Sequence, residues 1–145
     1  MVKFHPNSMP SYYLAKTDPE TYSIEHFASD HRTVWDGVRN AQALRAIRAM
    51  KRGDRIFIYH SMENAAIVGL ATAVSDARED AKDPKLAVVE LEFSGRIEPP
   101  VTLREIKESH LFDDWALILQ SRLSTMEAPP AFVEWMRKRF PKSRI

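Results

Sequence analysis

Residues 55–77 read RIFIYHSMENAAIVGLATAVSDA. Two apolar runs rich in β-branched and aromatic residues, 55–61 and 66–77, flank the short polar turn MEN. Such runs on either side of a turn predict two strands joined as an antiparallel hairpin. A lone hairpin cannot bury its apolar face, so further strands are required. Working outward, LAVVELEFSGRI at 86–97 predicts a third strand with Val89, Leu91 and Phe93 on one face, ended by Pro99 and Pro100. REDAKDPK at 78–85 reads as a charged loop before it. YYLAK at 12–16 predicts a strand ahead of the polar turn TDPE, and RLST at 122–125 predicts a brief strand near the end.

Helices fill the intervals. Ser23 is the expected N-cap of a short helix through Phe27. In AQALRAIRAMKRGD, Ala43, Leu44, Ile47 and Met50 recur at helical spacing, with Asn40 as the cap and Gly53 as the stop. Thr102 and Glu105 have capping-box spacing and open LREIKESH. Pro129 and Pro130 precede AFVEWMRKRF, with Phe132, Val133, Trp135 and Met136 facing inward. No internal repeat or linker interrupts the pattern. The expectation is a single α+β domain over 11–141, a small curled sheet or barrel with peripheral helices. Residues 1–10 read as a loose N-terminal arm and 142–145 as a C-terminal tail.

A chain of 145 residues suits one domain and needs no disulfide or metal to fold. It has no cysteine, which excludes thiolate catalysis and cysteine zinc sites. Neither a membrane span nor the apolar core of a signal peptide is visible, so the chain reads as soluble and cytoplasmic. Net charge is +1, so any phosphate-binding surface must be local. The one dense basic run, Arg137 to Arg144, reads as a solvated, frayed end.

Catalytic signatures are missing. There is no G-x-S-x-G, no H-E-x-x-H and no P-loop, and the histidines at 5, 26, 31, 60 and 110 lack metal-ligand spacing. Asp113 and Asp114 are adjacent, and adjacent side chains rarely point at one site, so they read as surface or cap residues. No metal and no cofactor are expected. The remaining constellation is WDGVRN at 35–40. Gly37 permits a positive φ, Asn40 caps the helix, and Trp35 offers a ring beside the donors and acceptors of Asp36, Arg39 and Asn40. One reading is a pocket for a flat, acceptor-bearing ligand such as a nucleobase; the other is a helix entry loop with a core Trp and a local Asp–Arg pair.

Several separated motifs in order give a family resemblance: YYLAKTDPETYS, WDGVRNAQA, MKRGDRIFIYHS, AIVGLA and RLS. Together they resemble the EVE domain, a member of the PUA-like superfamily that also includes the YTH and SRA domains. The resemblance implies a PUA-like pseudo-barrel of mostly antiparallel strands with helices around it. It implies a non-enzymatic nucleic-acid-binding module, DNA or RNA, that holds a modified or flipped base. The alternative is a small-molecule sensor for a nucleoside or nucleotide; an enzyme on nucleic acid ranks behind both.

Carried over onto this chain, the candidate ligand-binding residues are Lys16, Trp35, Gly37, Val38, Arg39, Asn40, Tyr59, His60, Ser61, Arg122 and Ser124, with Leu123 in the core. Trp35 and Tyr59 are the stacking candidates, and Trp35→Ala is expected to remove binding without unfolding the domain. Tyr59 and Ser61 share one strand face and His60 the other, so only one of those sets can line a pocket. Thr17-Asp18 stands where the family has Ser-Glu. The segment 76–86 is short and carries Pro84-Lys85-Leu86 where the family has Arg-Trp, which predicts a more open pocket.

Overall fold

The computed structural model describes residues 9–145. Most of the expected N-terminal arm therefore lies outside the described residues. The strands are β1 (Tyr12–Thr17), β2 (Arg32–Trp35), β3 (Arg55–His60), β4 (Ala66–Ala73), β5 (Arg78–Asp80), β6 (Asp83–Thr102) and β7 (Thr125–Glu127). The helices are α1 (Ile24–Asp30), α2 (Ala41–Ala49), α3 (Leu103–Ser109), α4 (Ala116–Leu119) and α5 (Pro130–Arg139).

The strands form one mixed sheet in the order β2-β6-β4-β3-β1-β7, with β5 paired to β6. The expected β3–β4 hairpin is present and antiparallel, Arg55 opposite Thr72 and His60 opposite Ala66. β1 pairs with β3 in parallel and with β7 antiparallel. β2 and β7 are thus the two edges of the path. The sheet curls so that residues from both edges meet at one seam, as the lining described below shows. α2 packs against both β6 and β7, across that seam. The fold is the expected α+β type, a mostly antiparallel curled sheet with peripheral helices.

Helix starts follow the sequence closely. Ser23 Oγ accepts from the His26 N–H at 3.1 Å, Asn40 Oδ1 from the Ala43 N–H at 3.0 Å, and Thr102 Oγ1 from the Glu105 N–H at 3.0 Å. Each removes one of the orphan donors of a first turn. The Glu105 carboxylate pairs with Arg139. α1 runs past Phe27 to Asp30, and α2 ends at Ala49, short of Gly53. The early stop has a cause. Met50 is extended, and the buried Asp54 carboxylate accepts from the Lys51 N–H at 2.9 Å and the Ser11 N–H at 3.0 Å. Gly53, at φ +96°, serves the turn into β3 instead.

Other expectations need correction. β4 ends at Ala73, not Ala77, and the charged loop 78–85 contains β5 and the start of β6. β6 does not stop at the prolines. Between the pairs Ile67–Val101 and Gly69–Arg96, β4 advances two residues while β6 advances five. Pro99 and Pro100 sit in that bulge, where a missing N–H costs no ladder bond. The strand expected at 122–125 begins only at Thr125, and β2 and α4 had no clear signal in the sequence.

The core is built on Phe27, Phe57 and Phe132, with Leu14, Ile56, Ile58, Leu70 and Leu91 around them. Gly69 of β4 admits α1: a Cβ there would lie 2.4 Å from Ile24 Cδ1 and 3.1 Å from the Gly95 carbonyl oxygen. The C-terminal basic run is not a free end. Arg137 pairs with Glu134 at 2.6 Å and donates to the Ile145 carbonyl at 2.9 Å, while Arg139 lies 4.7 Å above the Trp135 ring.

Candidate nucleic-acid interface

A cavity of about 450 Å³ opens at the seam. From β1 come Lys16 and Thr17; from the lead into β7 comes Ser124; from the opposite edge come Thr33, Val34 and Trp35 of β2. Thr21 and Tyr22, ahead of α1, and Asp36, Gly37, Val38 and Arg39, ahead of α2, complete the wall. Because β2 ends at Trp35 and α2 begins at Ala41, the WDGVRN stretch spans the gap between sheet edge and helix. Gly37 makes the bend at φ +76°, a conformation that glycine adopts without a Cβ penalty.

The polar groups of the wall are held in place. Lys16 Nζ donates to the Ser121 carbonyl at 3.0 Å and lies 5.3 Å above the Tyr59 ring. Burial lowers its pKa from the ordinary lysine value. An ammonium has three donors, so one contact to Ser121 leaves others for a ligand. Thr17 Oγ1 donates to the Tyr22 carbonyl at 2.8 Å, and the Tyr22 hydroxyl donates to Asp30 at 2.9 Å. Burial raises the pKa of Tyr22. Asp36 and Arg39 are exposed at the mouth, and neither forms an ion pair among the described residues.

Six of the sequence candidates meet here: Lys16, Trp35, Gly37, Val38, Arg39 and Ser124. Five do not line the cavity. Asn40 is spent on the α2 cap. Tyr59 is buried at 3% exposure beneath Lys16, so it supports the cation and offers no free stacking face. His60 Nε2 accepts from the Ile24 N–H at 3.0 Å, which ties the end of β3 to the first turn of α1. Ser61 Oγ donates to the Thr17 carbonyl at 3.2 Å. Arg122 is exposed beside the seam. The alternation argument allowed Tyr59–Ser61 or His60 into the pocket; a register shift after Ile58 and these local partners turn all three to structural work.

Trp35 is also a correction. It is only 8% exposed and packs edge-on to Tyr22 at 6.3 Å and tilted against Phe27 at 6.3 Å. It forms the floor of the cavity rather than an open platform. Thr17, Thr21, Tyr22, Thr33 and Val34 were missed. Reading RTVW as a strand would have placed Thr33 beside Trp35, since residues two apart share a face. None of residues 76–86 lines the cavity; Lys85 instead accepts a hydrogen bond from Arg48 at 2.6 Å.

A larger hollow, about 930 Å³, lies between the approach to β1 and the start of α5. It collects none of the candidate residues, and the carboxylates of Asp113, Asp114, Glu127 and Glu134 border it against one guanidinium, that of Arg137, which is paired with Glu134; this balance opposes a phosphate-bearing ligand. The seam cavity is therefore the candidate site.

Residues 11–139 match the EVE domain. The chain is 31% identical to thymocyte nuclear protein 1 of Rattus norvegicus over 131 residues, covering 71% of this chain and 58% of that protein, so it spans under two-thirds of that relative. Among solved structures, Rpa0253 from Rhodopseudomonas palustris superposes with a TM-score of 0.83 at 33% identity, over 88% of this chain and 91% of the other. Human THYN1, solved in complex with 5-methylcytosine-containing DNA, superposes with a TM-score of 0.81 at 26% identity, over 91% of this chain and 98% of the other. On the match across nearly all of its length, and on the fold that carries it, this chain belongs to the EVE domain family.

Proposed function

We propose that this chain is a non-enzymatic binding module that holds one base of a DNA or RNA strand, unpaired or flipped, in the seam cavity. The observation that carries the reading is the lining itself. An indole floor, hydroxyl and methyl groups from three threonines, one carboxylate and two cations surround about 450 Å³, within the range of small-ligand sites. Among the described residues, Asp36 is the only carboxylate in that wall and no histidine lines it, which suits recognition better than proton transfer. Asp36 can accept from the exocyclic amine of a cytosine, and Lys16 can donate to its ring carbonyl. The apolar side chains of Val34 and Val38 and the threonine methyls suit a 5-methyl group. The relative solved with DNA containing 5-methylcytosine makes methylated cytosine the first base to test.

Taking a base out of a duplex costs a few kcal/mol, so affinity in the micromolar range or weaker is expected. The test is titration of short single-stranded and duplex oligonucleotides, with cytosine or 5-methylcytosine at one position, against the wild type and against Asp36→Ala and Lys16→Met. Saturable binding that prefers the methylated base and falls at least about tenfold in both variants supports the reading, a loss on the scale of one good base contact. Equal affinity for every oligonucleotide, unchanged in the variants, would overturn it. Free nucleosides binding as tightly as oligonucleotides would favour a small-molecule sensor.

A further inference from the structure

A second hollow, about 380 Å³, lies next to the seam cavity. The extended segment leading into β7 divides them. Ser124 lines the seam cavity, while Leu123 and Thr125 on either side of it line the second hollow. α2 borders both. Arg39, just ahead of its cap, lines the first; Gln42, Arg45, Ala46 and Ala49, one face of the helix, line the second.

We infer that the second hollow takes the nucleotide joined to the one whose base fills the seam cavity, which makes the minimal ligand a dinucleotide. This rests on the base-binding reading above. The chemistry of the hollow fits a nucleoside with its phosphate. Alanine methyls and the edge of Trp115 provide an apolar surface, and Trp115 is fixed by its Nε1 donating to the Glu127 carbonyl at 2.8 Å. Arg45 and Gln42 supply donors for phosphate and base edge.

The charges fit as well. Arg32, Arg96, Arg104, Arg137 and Arg139 are each paired with a glutamate. Seven exposed arginines form no ion pair among the described residues; Arg48, Arg52, Arg78 and Arg144 neither line a cavity nor adjoin the dividing segment, which leaves Arg39, Arg45 and Arg122. These three lie at the mouth of the cavity, on the second hollow and next to the dividing segment. Arg39 stands two residues ahead of α2 and Arg45 in its second turn, an interval of roughly 6 Å of helical rise plus two non-helical residues. A stacked nucleotide step rises about 3.4 Å and lengthens when a base leaves the stack, so one or two steps span the interval. Glu127 closes the far end, three strand residues or roughly 10 Å beyond Ser124. Past it lies the carboxylate-bordered hollow, which turns a strand away. The second site therefore holds one nucleotide and no more.

The test measures binding of 5-methyl-2′-deoxycytidine, of dinucleotides carrying 5-methylcytosine at either position, and of a hexanucleotide containing it. For the wild type, one dinucleotide is expected to bind about tenfold tighter than the nucleoside, the scale of one base stack, and the hexanucleotide to add less than about threefold. Arg45→Ala and Ala49→Glu change exposed positions and leave the core intact. Both are expected to reduce the dinucleotide to the nucleoside's affinity while leaving the nucleoside unchanged. Equal binding of nucleoside and dinucleotide by the wild type would overturn this inference and leave the base cavity standing. So would a dinucleotide advantage that survives in both variants. Failure of all three probes to bind would overturn the base-binding reading and this inference with it.

Discussion

Trp35 shows how one residue can serve site and core together. Wedged against Tyr22 and Phe27, it cannot be removed without leaving a void. Trp35→Ala is expected to cost about 3–5 kcal/mol of stability, read from urea unfolding, so lost binding in that variant reports lost structure. A near-native midpoint would mean that the ring is not part of the core. His60 gives a second prediction. Burial lowers its pKa below the ordinary value, and Glu25 opposes this only in part. Its Nε2 must stay unprotonated to accept from Ile24. A histidine with a lowered folded pKa binds its proton more readily when unfolded. Its contribution is thus complete above about pH 6.5 and declines as pH falls through the folded value. Melting temperature should fall over that window, and His60→Gln should flatten that part of the profile; a parallel profile in the variant would assign the effect elsewhere. Gly37 and Asn40 were legible because their roles, a bend and a helix cap, follow from local geometry. Tyr59, His60 and Ser61 were not, because their partners come from β1 and the start of α1, distant in sequence.

At the level of elements, Gly69 marks a close approach of α1 to β4. Gly69→Ala would force its Cβ into Ile24 Cδ1 and against the Gly95 carbonyl. The Ile24 side chain can shift, but the backbone oxygen cannot easily follow. The expected loss is about 1–3 kcal/mol, measured as a lower melting temperature with the same fold. An unchanged melting temperature would show that α1 moves freely on the sheet. Because Tyr22 precedes α1 and lines the cavity, base affinity should weaken as well. The elements themselves were mostly readable. Caps fixed three helix starts, and alternation with turn residues fixed the β3–β4 hairpin. β6 was cut short at its prolines because their tolerance depends on the bulge opposite β4, which no local pattern announces. β2 was missed because four residues, RTVW, are too few to show a period.

The whole molecule has a net charge of +1, and many of its arginines are already paired with acids. Among the described residues, the cations lining the two cavities are Lys16, Arg39 and Arg45, so few are placed to displace counterions there. A plot of log affinity against log salt should have a slope of only about −1 to −2, as for two phosphate contacts on a single strand. A slope of −4 or steeper would require a basic surface beyond α2 and the seam. Topology has a further consequence. β1 and β3 are parallel neighbours, so the chain must cross over between them, and on the way it supplies β2 at the far edge of the same sheet. That excursion, residues 18–54, carries nine of the twelve residues lining the cavity; Lys16, Thr17 and Ser124 alone lie outside it. The cavity wall is in effect a cassette inserted between two neighbouring strands. A chimera that exchanges this cassette between family members, keeping Thr17 and Arg55 as its joints and Val34 opposite Glu90, should transplant ligand preference and leave the other strands of the sheet undisturbed.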